Sequence, residues 1–218
     1  MQLRKGQSLL ILSHARNVAS ATETGWASIA GRLLQSVYPE LDIRVDTLSC
    51  AAAAVGRTEL GWMEAVRVRR PDWLVLPPIT LAELSAFIPN GEAATPELFK
   101  ESLLPVLYEM SMHAGRVALL APFALNGEDG NDLAPYEAIA LEAAWQTGCM
   151  LVNAQAAIDE AKVKHGYQPD RANEEAMRTD IDFALASAFL RSVGFEWVRR
   201  PSFFGLGDQT APRMSHSS

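Results

Sequence analysis

Four consecutive residues, Ser13-His14-Ala15-Arg16, directly follow the apolar run 9–12, at a point where many enzymes carry a nucleophile. A serine hydroxyl attacks a carbonyl carbon once a histidine accepts its proton, so Ser13 and His14 form one candidate pair. Neighbouring residues of an extended chain point in different directions, which favours His14 as a hydrogen-bonded loop residue or a ligand-facing imidazole. Arg16 has two interpretations, a clamp for a carboxylate or phosphate and a surface ion pair.

Cys50 comes just after the second predicted strand and could act as a nucleophile if its thiolate were stabilised. Its nearest partners in the sequence are alanines, so we expect it to be a small buried residue. Thr80 follows the third predicted strand, and nothing in the sequence fixes its direction. His113, His165 and His216 have no metal-ligand spacing, so we predict no metal site and no cofactor.

The elements that must position these residues follow from the apolar pattern, which switches between short continuous runs and helical spacing. We predict strands at 9–12, 43–48, 73–76, 117–120 and 150–152. We predict helices at 26–37, 60–70, from 96 to about 110, at 138–147, and a last helix around 186–193, with a polar loop at 126–132. Alternating strands and helices predict a three-layer α/β/α domain with a doubly wound, five-stranded parallel sheet in flavodoxin-like order. The site should lie at the carboxyl edge of that sheet.

Composition limits the class of protein. The chain has 218 residues, of which 49% are hydrophobic, enough for one core, and we predict a single domain at 1–197 and an extended or disordered tail at 198–218. A net charge of −7 disfavours a nucleic-acid partner. No apolar run approaches the length of a membrane span or a signal-peptide core. Cys50 and Cys149 are expected to be free thiols, which with these features predicts a cytoplasmic protein.

Several segments occur in an order and spacing that is typical of a known family. They are Thr24-Gly25-Trp26, Pro71-Asp72-Trp73, Ala121-Pro122-Phe123, the run 151–157 and the run 186–197. On these segments the chain resembles the SGNH or GDSL hydrolases, which are esterases and lipases, across about residues 9–197. The resemblance implies the same three-layer fold and a site for acyl transfer.

The resemblance also implies four catalytic blocks, namely a Ser nucleophile, a Gly and an Asn that bind the oxyanion, and an Asp-x-x-His pair. This chain departs from all four. The nucleophile position falls on Ala15, the glycine position within 51–54 around Ala52, and the third block on 79–82. The Asp and His positions fall near Asn173 and Ala176, and no histidine lies between Gly166 and Pro212.

Two functions are consistent with these departures. An alanine cannot attack a carbonyl, so the first prediction is a non-catalytic pseudo-hydrolase that binds a small anionic ligand or a protein partner. The alternative is a divergent enzyme, an ester or acyl hydrolase, lyase or transferase, that uses the replaced residues of the same cleft on an acidic small molecule. Under both, the candidate cleft residues are Ser13, His14, Ala15, Arg16, Cys50, Ala52, Thr80 and Asn173.

Overall fold

A computed structural model describes residues 2–14, 25–50, 61–84, 88, 94–124, 130–165 and 174–196, and it describes His14 and Cys50 by their backbone only. These residues form strands β1 (Ser8–His14), β2 (Arg44–Cys50), β3 (Trp73–Leu76), β4 (Arg116–Leu120) and β5 (Met150–Val152). They also form helices α1 (Trp26–Val37), α2 (Gly61–Arg69), α3 (Pro96–His113), α4 (Gly130–Thr147), α5 (Ala154–His165) and α6 (Glu174–Ser192).

The five strands form one parallel sheet in the order β2-β1-β3-β4-β5, which confirms the predicted fold class. All four residues of β3 are buried, because a parallel sheet with helices on both faces shields both sides of its central strands. The chain leaves β1 to form β2 on one side of it, and then returns to form β3 on the other side of β1. The direction in which strands are added to the sheet therefore reverses between β1 and β3. That reversal is the topological switch point of the sheet.

Side chains that alternate along β1 enter two separate cores. Leu9 and Ile11 belong to the core under α1, α5 and α6, whereas Leu10 and Leu12 belong to the core under α2, α3 and α4. The four side chains are at most 1% exposed. The period of two along a strand therefore explains how one continuous apolar run supports helices on both faces.

Two strands extend further than the sequence predicted. β1 continues through Ser13 and His14, which we expected in a loop, and β2 continues to Cys50. The reason is the pairing between them, because β1 and β2 remain in register from Ser8 with Arg44 to His14 with Cys50. Apolarity alone marks only the buried part of a strand, so the polar ends of these two strands were not visible in the pattern.

Helix α4 begins at Gly130, eight residues before the predicted start, so the predicted loop is wrong at its last three residues. Tertiary contacts fix this first part of the helix. Leu133 and Tyr136 are buried, and the Tyr136 hydroxyl donates to the Ala94 carbonyl at 2.8 Å. The Tyr136 ring also packs edge-on against Phe99, with a centroid distance of 5.6 Å.

The start of α3 agrees with the prediction, whereas α5 was not predicted at all. Thr95 Oγ1 accepts from the Leu98 N–H at 3.3 Å, Pro96 occupies the first turn, and the helix continues through Pro105. Helix α5 has an equivalent start signal, because Asn153 Oδ1 accepts from the Ala156 N–H at 2.8 Å. An asparagine followed by an alanine-rich run could have identified this helix.

The two cysteines lie at opposite edges of the sheet. Cys50 ends β2 at the carboxyl edge, and Cys149 immediately precedes β5 at the amino edge. The strands are separated by four spacings of the sheet, about 19 Å, whereas a disulfide requires Cα atoms within about 7 Å. The two thiols therefore cannot pair within one molecule.

Among the described residues, no helix is long and apolar enough to cross a membrane. The segment predicted to form the tail lies outside the described residues, so its order stays a prediction, as does the single domain at 1–197.

A reciprocal hydrogen-bonded pair joins the amino ends of β1 and β3. The Asp72 carboxylate accepts from the Ser8 N–H at 2.7 Å and from the Ser8 hydroxyl at 2.8 Å, and the Ser8 hydroxyl accepts from the Asp72 N–H at 3.0 Å. The bonds from the Ser8 backbone and hydroxyl lower the pKa of Asp72 below its usual value. The folded state thus binds the ionised carboxylate more favourably than the unfolded chain does.

We expect Asp72→Asn to lower the free energy of unfolding at pH 7 by about 1–2 kcal/mol, because the hydrogen bonds lose their charged partner at an exposed site. Since the pKa is lowered in the folded state, this stabilisation is present above the unfolded pKa of about 3.9 and is lost as the pH falls through the folded pKa. Urea unfolding at pH 7 and pH 3 measures both effects. Asp46→Asn, an exposed aspartate on β2, is the matched control, and an equal loss in both variants would contradict the prediction.

Candidate functional site

The carboxyl edge of the sheet opens between β1 and β3. β1 pairs with β3 only at Leu9, Leu10 and Ile11, but it stays paired with β2 as far as His14. The last three residues of β1 therefore border the crevice at the switch point, where open α/β sheets bind their ligands. This crevice is the candidate active site.

Two of the sequence-predicted site residues are brought together at this edge. His14 and Cys50 are register partners at the ends of β1 and β2, although 35 residues separate them in the sequence. Adjacent strands lie about 4.8 Å apart, so these two backbone positions are immediate neighbours. Ser13 is half-buried, pairs with Ser49 and shares its sheet face with Ile11, on the side of α1.

Thr80 lies at the same edge, beyond β3, but its polar atoms are already bonded. Its backbone N–H and its hydroxyl donate to the Glu83 carboxylate at 3.1 Å and 2.8 Å. The residue is 5% exposed, and Glu83 closes a short 3₁₀ turn, Leu81–Glu83. Thr80 therefore holds the chain that leaves β3, and its hydroxyl and N–H are not available to bind an oxyanion.

Phe123 holds the chain that leaves β3 at this edge of the sheet, a role the sequence did not reveal. Its N–H donates to the Ile79 carbonyl at 3.1 Å, and its carbonyl accepts from the Leu81 N–H at 2.9 Å, which extends the parallel pairing beyond β3 and β4. The ring is completely buried in the core under α1, α5 and α6. The only signal in the sequence was the Ala121-Pro122-Phe123 segment that follows β4.

Gln155 fixes the next loop along the edge, and it too was missed. Its side-chain oxygen accepts from the Ala124 N–H at 2.8 Å, and its side-chain nitrogen donates to Asp159 at 2.8 Å. Burial, and then the negative charge of Asp159, raise the pKa of the nearby Glu137 carboxyl. Gln155 thus ties Ala124, in the segment that follows β4, to α5.

Four predicted site residues, Ala15, Arg16, Ala52 and Asn173, lie outside the described residues. Their roles stay predictions. Within the described part of the chain, no group of three or more His, Cys, Asp or Glu side chains is arranged to hold a metal ion.

The remaining histidine and cysteine with described side chains belong to the opposite edge. His113 ends α3 and its ring contacts the Glu109 carboxylate at 3.1 Å, which also binds Arg67 at 2.7 Å. The bond from Arg67 lowers the pKa of Glu109. Cys149 accepts from the Thr147 hydroxyl at 3.1 Å, and burial raises the pKa of its thiol. Both residues have structural partners far from the crevice.

A separate open groove of about 250 Å³ runs between α1 and β2, lined by Ala27, Ser28, Gly31, Arg32, Gln35, Val45 and Thr47. It lies along the middle of the edge strand and does not reach the carboxyl ends of the strands. It brings no nucleophile next to a base, so we do not assign the reaction to it.

Comparison with known proteins gives the chemistry of related chains. The sequence is 29% identical over 192 residues to an acetylxylan esterase from Geobacillus stearothermophilus, a match that covers 82% of this chain and 85% of that protein. The crystal structure of a catalytic mutant of an acetylxylan esterase from the same organism is similar with a TM-score of 0.73 at 25% identity, covering 92% of this chain and 100% of that chain. No family model matches the sequence.

A third similarity concerns the fold alone. An α/β hydrolase from the metagenome of Lake Arreo, Spain, is 18% identical with a TM-score of 0.68, covering 89% of this chain and 98% of that chain. Solved catalytic mutants of the Geobacillus esterase replace a serine, an aspartate or a histidine by alanine.

These comparisons correct the first functional prediction. A non-catalytic module was predicted from the missing catalytic blocks, but the Geobacillus proteins that match 82% and 92% of the chain are acetylxylan esterases. The comparisons favour the alternative, an enzyme of the ester hydrolase class. The prediction failed because the absence of a residue type at an aligned position says nothing about other reactive groups that the fold brings to the same edge.

Proposed function

Because the chain belongs to the SGNH/GDSL-like hydrolase superfamily, we propose that it is an acyl-ester hydrolase that binds its substrate at the carboxyl edge of the sheet. The observation that carries this proposal is the similarity to an acetylxylan esterase over more than four-fifths of both sequences. The proposed substrate class is therefore an acetylated sugar. The reaction releases acetate and a free sugar hydroxyl.

Ester hydrolysis requires a base and either an attacking side chain or an activated water. The resemblance places Ala15 at the usual position of the attacking group, and a methyl group cannot attack a carbonyl, so we place the attacking group elsewhere. The carboxyl ends of β1 and β2 nevertheless carry a hydroxyl, an imidazole and a thiol, at Ser13, His14 and Cys50. We assign the base to His14, because it is the one histidine at this edge within the described part of the chain.

Two further features belong to this proposal. Arg16 would bind a substrate that carries a carboxylate or phosphate, which is one of the two roles that the sequence leaves open for it. The enzyme would act in a reducing compartment such as the cytoplasm, which is supported by two thiols that the fold holds about 19 Å apart.

The test is an ester hydrolysis assay with the purified full chain on p-nitrophenyl acetate and on acetylated xylo-oligosaccharides. We expect saturable hydrolysis of both, with the higher kcat/KM on the acetylated sugar. We expect His14→Ala to lower kcat/KM by at least about a hundredfold, the usual contribution of a general base.

The matched control is His113→Ala, which removes a histidine from the opposite edge of the sheet and should leave kcat/KM unchanged within about twofold. Thermal unfolding of both variants shows whether they are folded. A wild-type protein that hydrolyses neither substrate would refute the proposal, and hydrolysis at equal rates in wild type and His14→Ala would refute the assignment of the base to His14.

A further inference from the structure

The register of β1 and β2 places a histidine and a cysteine side by side at the edge of the candidate active site. His14 and Cys50 form the last pair of the β1–β2 ladder. Successive residues of a strand alternate between the two faces of a sheet, whereas register partners on neighbouring strands share a face. The register therefore pairs His14 with Cys50, and it separates His14 from Ser13, its neighbour in the sequence.

His14 and Cys50 lie at the carboxyl edge of the sheet, whereas His113 and Cys149, whose side chains the structure describes, lie at the amino edge. Cys149 precedes β5 at the amino edge, where Thr147 is its hydrogen-bond partner. His113 ends α3 at that same edge, where Glu109 binds it. At the ends of β1 and β2 the described chain places a histidine and a cysteine in adjacent positions. His14, on β1, borders the switch-point crevice, and Cys50 lies on the next strand, β2, at the same edge of the sheet.

We propose that Cys50 is the nucleophile of this protein and that His14 is its general base, replacing a serine nucleophile with a cysteine on the neighbouring strand. The proposal rests on the proposed ester hydrolase function and specifies its site. A thiol suits this position chemically, because its usual pKa of about 8.5 lies far closer to neutrality than that of a serine hydroxyl. A cysteine therefore requires less assistance from its base than a serine does.

The reaction runs in two balanced steps. His14 accepts the proton of the Cys50 thiol, the sulfur bonds to the acyl carbon, the carbon–oxygen bond to the alcohol breaks, and the proton passes from His14 to the departing oxygen. Water then attacks the resulting thioester while His14 accepts the proton of that water. The carbon–sulfur bond breaks, the sulfur regains a proton from His14, and the acid leaves.

The first experiment compares four single variants of the full chain in the ester hydrolysis assay. Cys50→Ala should lower kcat/KM by at least about a thousandfold, as expected for the loss of a covalent nucleophile. Cys149→Ala should stay within about threefold of wild type, and Ser13→Ala, which removes the other candidate attacking group, should lose less kcat/KM than Cys50→Ala. Cys50→Ser keeps the size of the side chain and tests whether a loss of activity comes from the sulfur, with thermal unfolding as the check on folding.

The second experiment does not depend on ester hydrolysis. Alkylation by iodoacetamide at pH 7 is followed at each cysteine by peptide mass spectrometry, with Cys149 as the internal reference. Because a thiolate is the reactive form, His14→Ala should slow alkylation of Cys50 at least about tenfold and leave that of Cys149 unchanged. His113→Ala should leave both rates unchanged.

The outcomes separate the inference from the function on which it rests. Ester hydrolysis that survives in Cys50→Ala, or that is lost in Ser13→Ala instead, overturns the Cys50 assignment and leaves the hydrolase proposal intact. A wild-type protein without ester hydrolysis refutes the function. In that case, equal alkylation rates of Cys50 in wild type and in His14→Ala would also refute the proposal that His14 acts as the base for Cys50.

Discussion

Phe189→Ala lowers the free energy of unfolding by about 3–5 kcal/mol, the expected loss for a large aromatic side chain removed from a close-packed core. Phe189 lies on α6 and is completely buried in the core under α1, α5 and α6. The substitution loses the burial of the ring and leaves a cavity that the packed helices cannot close. In a chain of this size, the melting temperature should fall by roughly 6–20 °C.

The matched control for this variant lies on the same helix. Phe183 is 47% exposed, so Phe183→Ala should cost less than about 1 kcal/mol. Urea unfolding followed by circular dichroism measures both variants under identical conditions. Similar losses for the two variants would show that α6 does not pack against the sheet as described.

The second large effect is expected at Phe123, whose backbone pairs with the chain beyond β3. Phe123→Ala should cost about 3–5 kcal/mol of unfolding free energy, because the ring is completely buried. It should also lower the kcat/KM for ester hydrolysis by roughly a hundredfold, the effect of a displacement of about 1 Å at a reacting centre. The link to the site is the backbone pairing of Phe123 with Ile79 and Leu81, which positions the chain beyond β3.

Two variants separate the role of Phe123 in the site from general stability. Phe123→Leu keeps most of the apolar volume and should cost less than about 2 kcal/mol with a small change in kcat/KM. Phe189→Ala lowers stability to a similar extent in the same core, but Phe189 makes none of the backbone bonds that hold Ile79 and Leu81, so at a temperature where this variant stays folded it should retain near-normal kcat/KM. Equal losses of activity in Phe123→Ala and Phe189→Ala would assign the effect to instability alone.

The positions of the central elements were readable from the sequence because their side chains are buried in a regular pattern. α1 runs from Trp26 to Val37, β3 from Trp73 to Leu76, and β5 from Met150 to Val152, as the pattern predicted. The start of α4 could not be read from the sequence. Leu133 and Tyr136 stabilise this part of the helix by burial and by contact with the distant segment that includes Ala94.

The function was harder to predict than the fold. The framework segments identified the superfamily, and the departures at Ala15, Ala52 and Asn173 favoured a protein without catalysis. The similarity to acetylxylan esterases overturned that conclusion. The four catalytic blocks of the family identify only the residues at the family's own catalytic positions. A site can also be built from other residues that the fold brings together in space.

By itself the sequence determined the layers and the parallel sheet, and with them the edge at which the candidate site was sought, since burial and crossover geometry leave a clear period in the chain. Only the tertiary structure decided that β1 and β2 extend to His14 and Cys50 and that these two residues end the same ladder. Register depends on how whole strands pack between two layers of helices, and a shift of one residue would move each side chain to the opposite face. No local pattern within either strand contains that information.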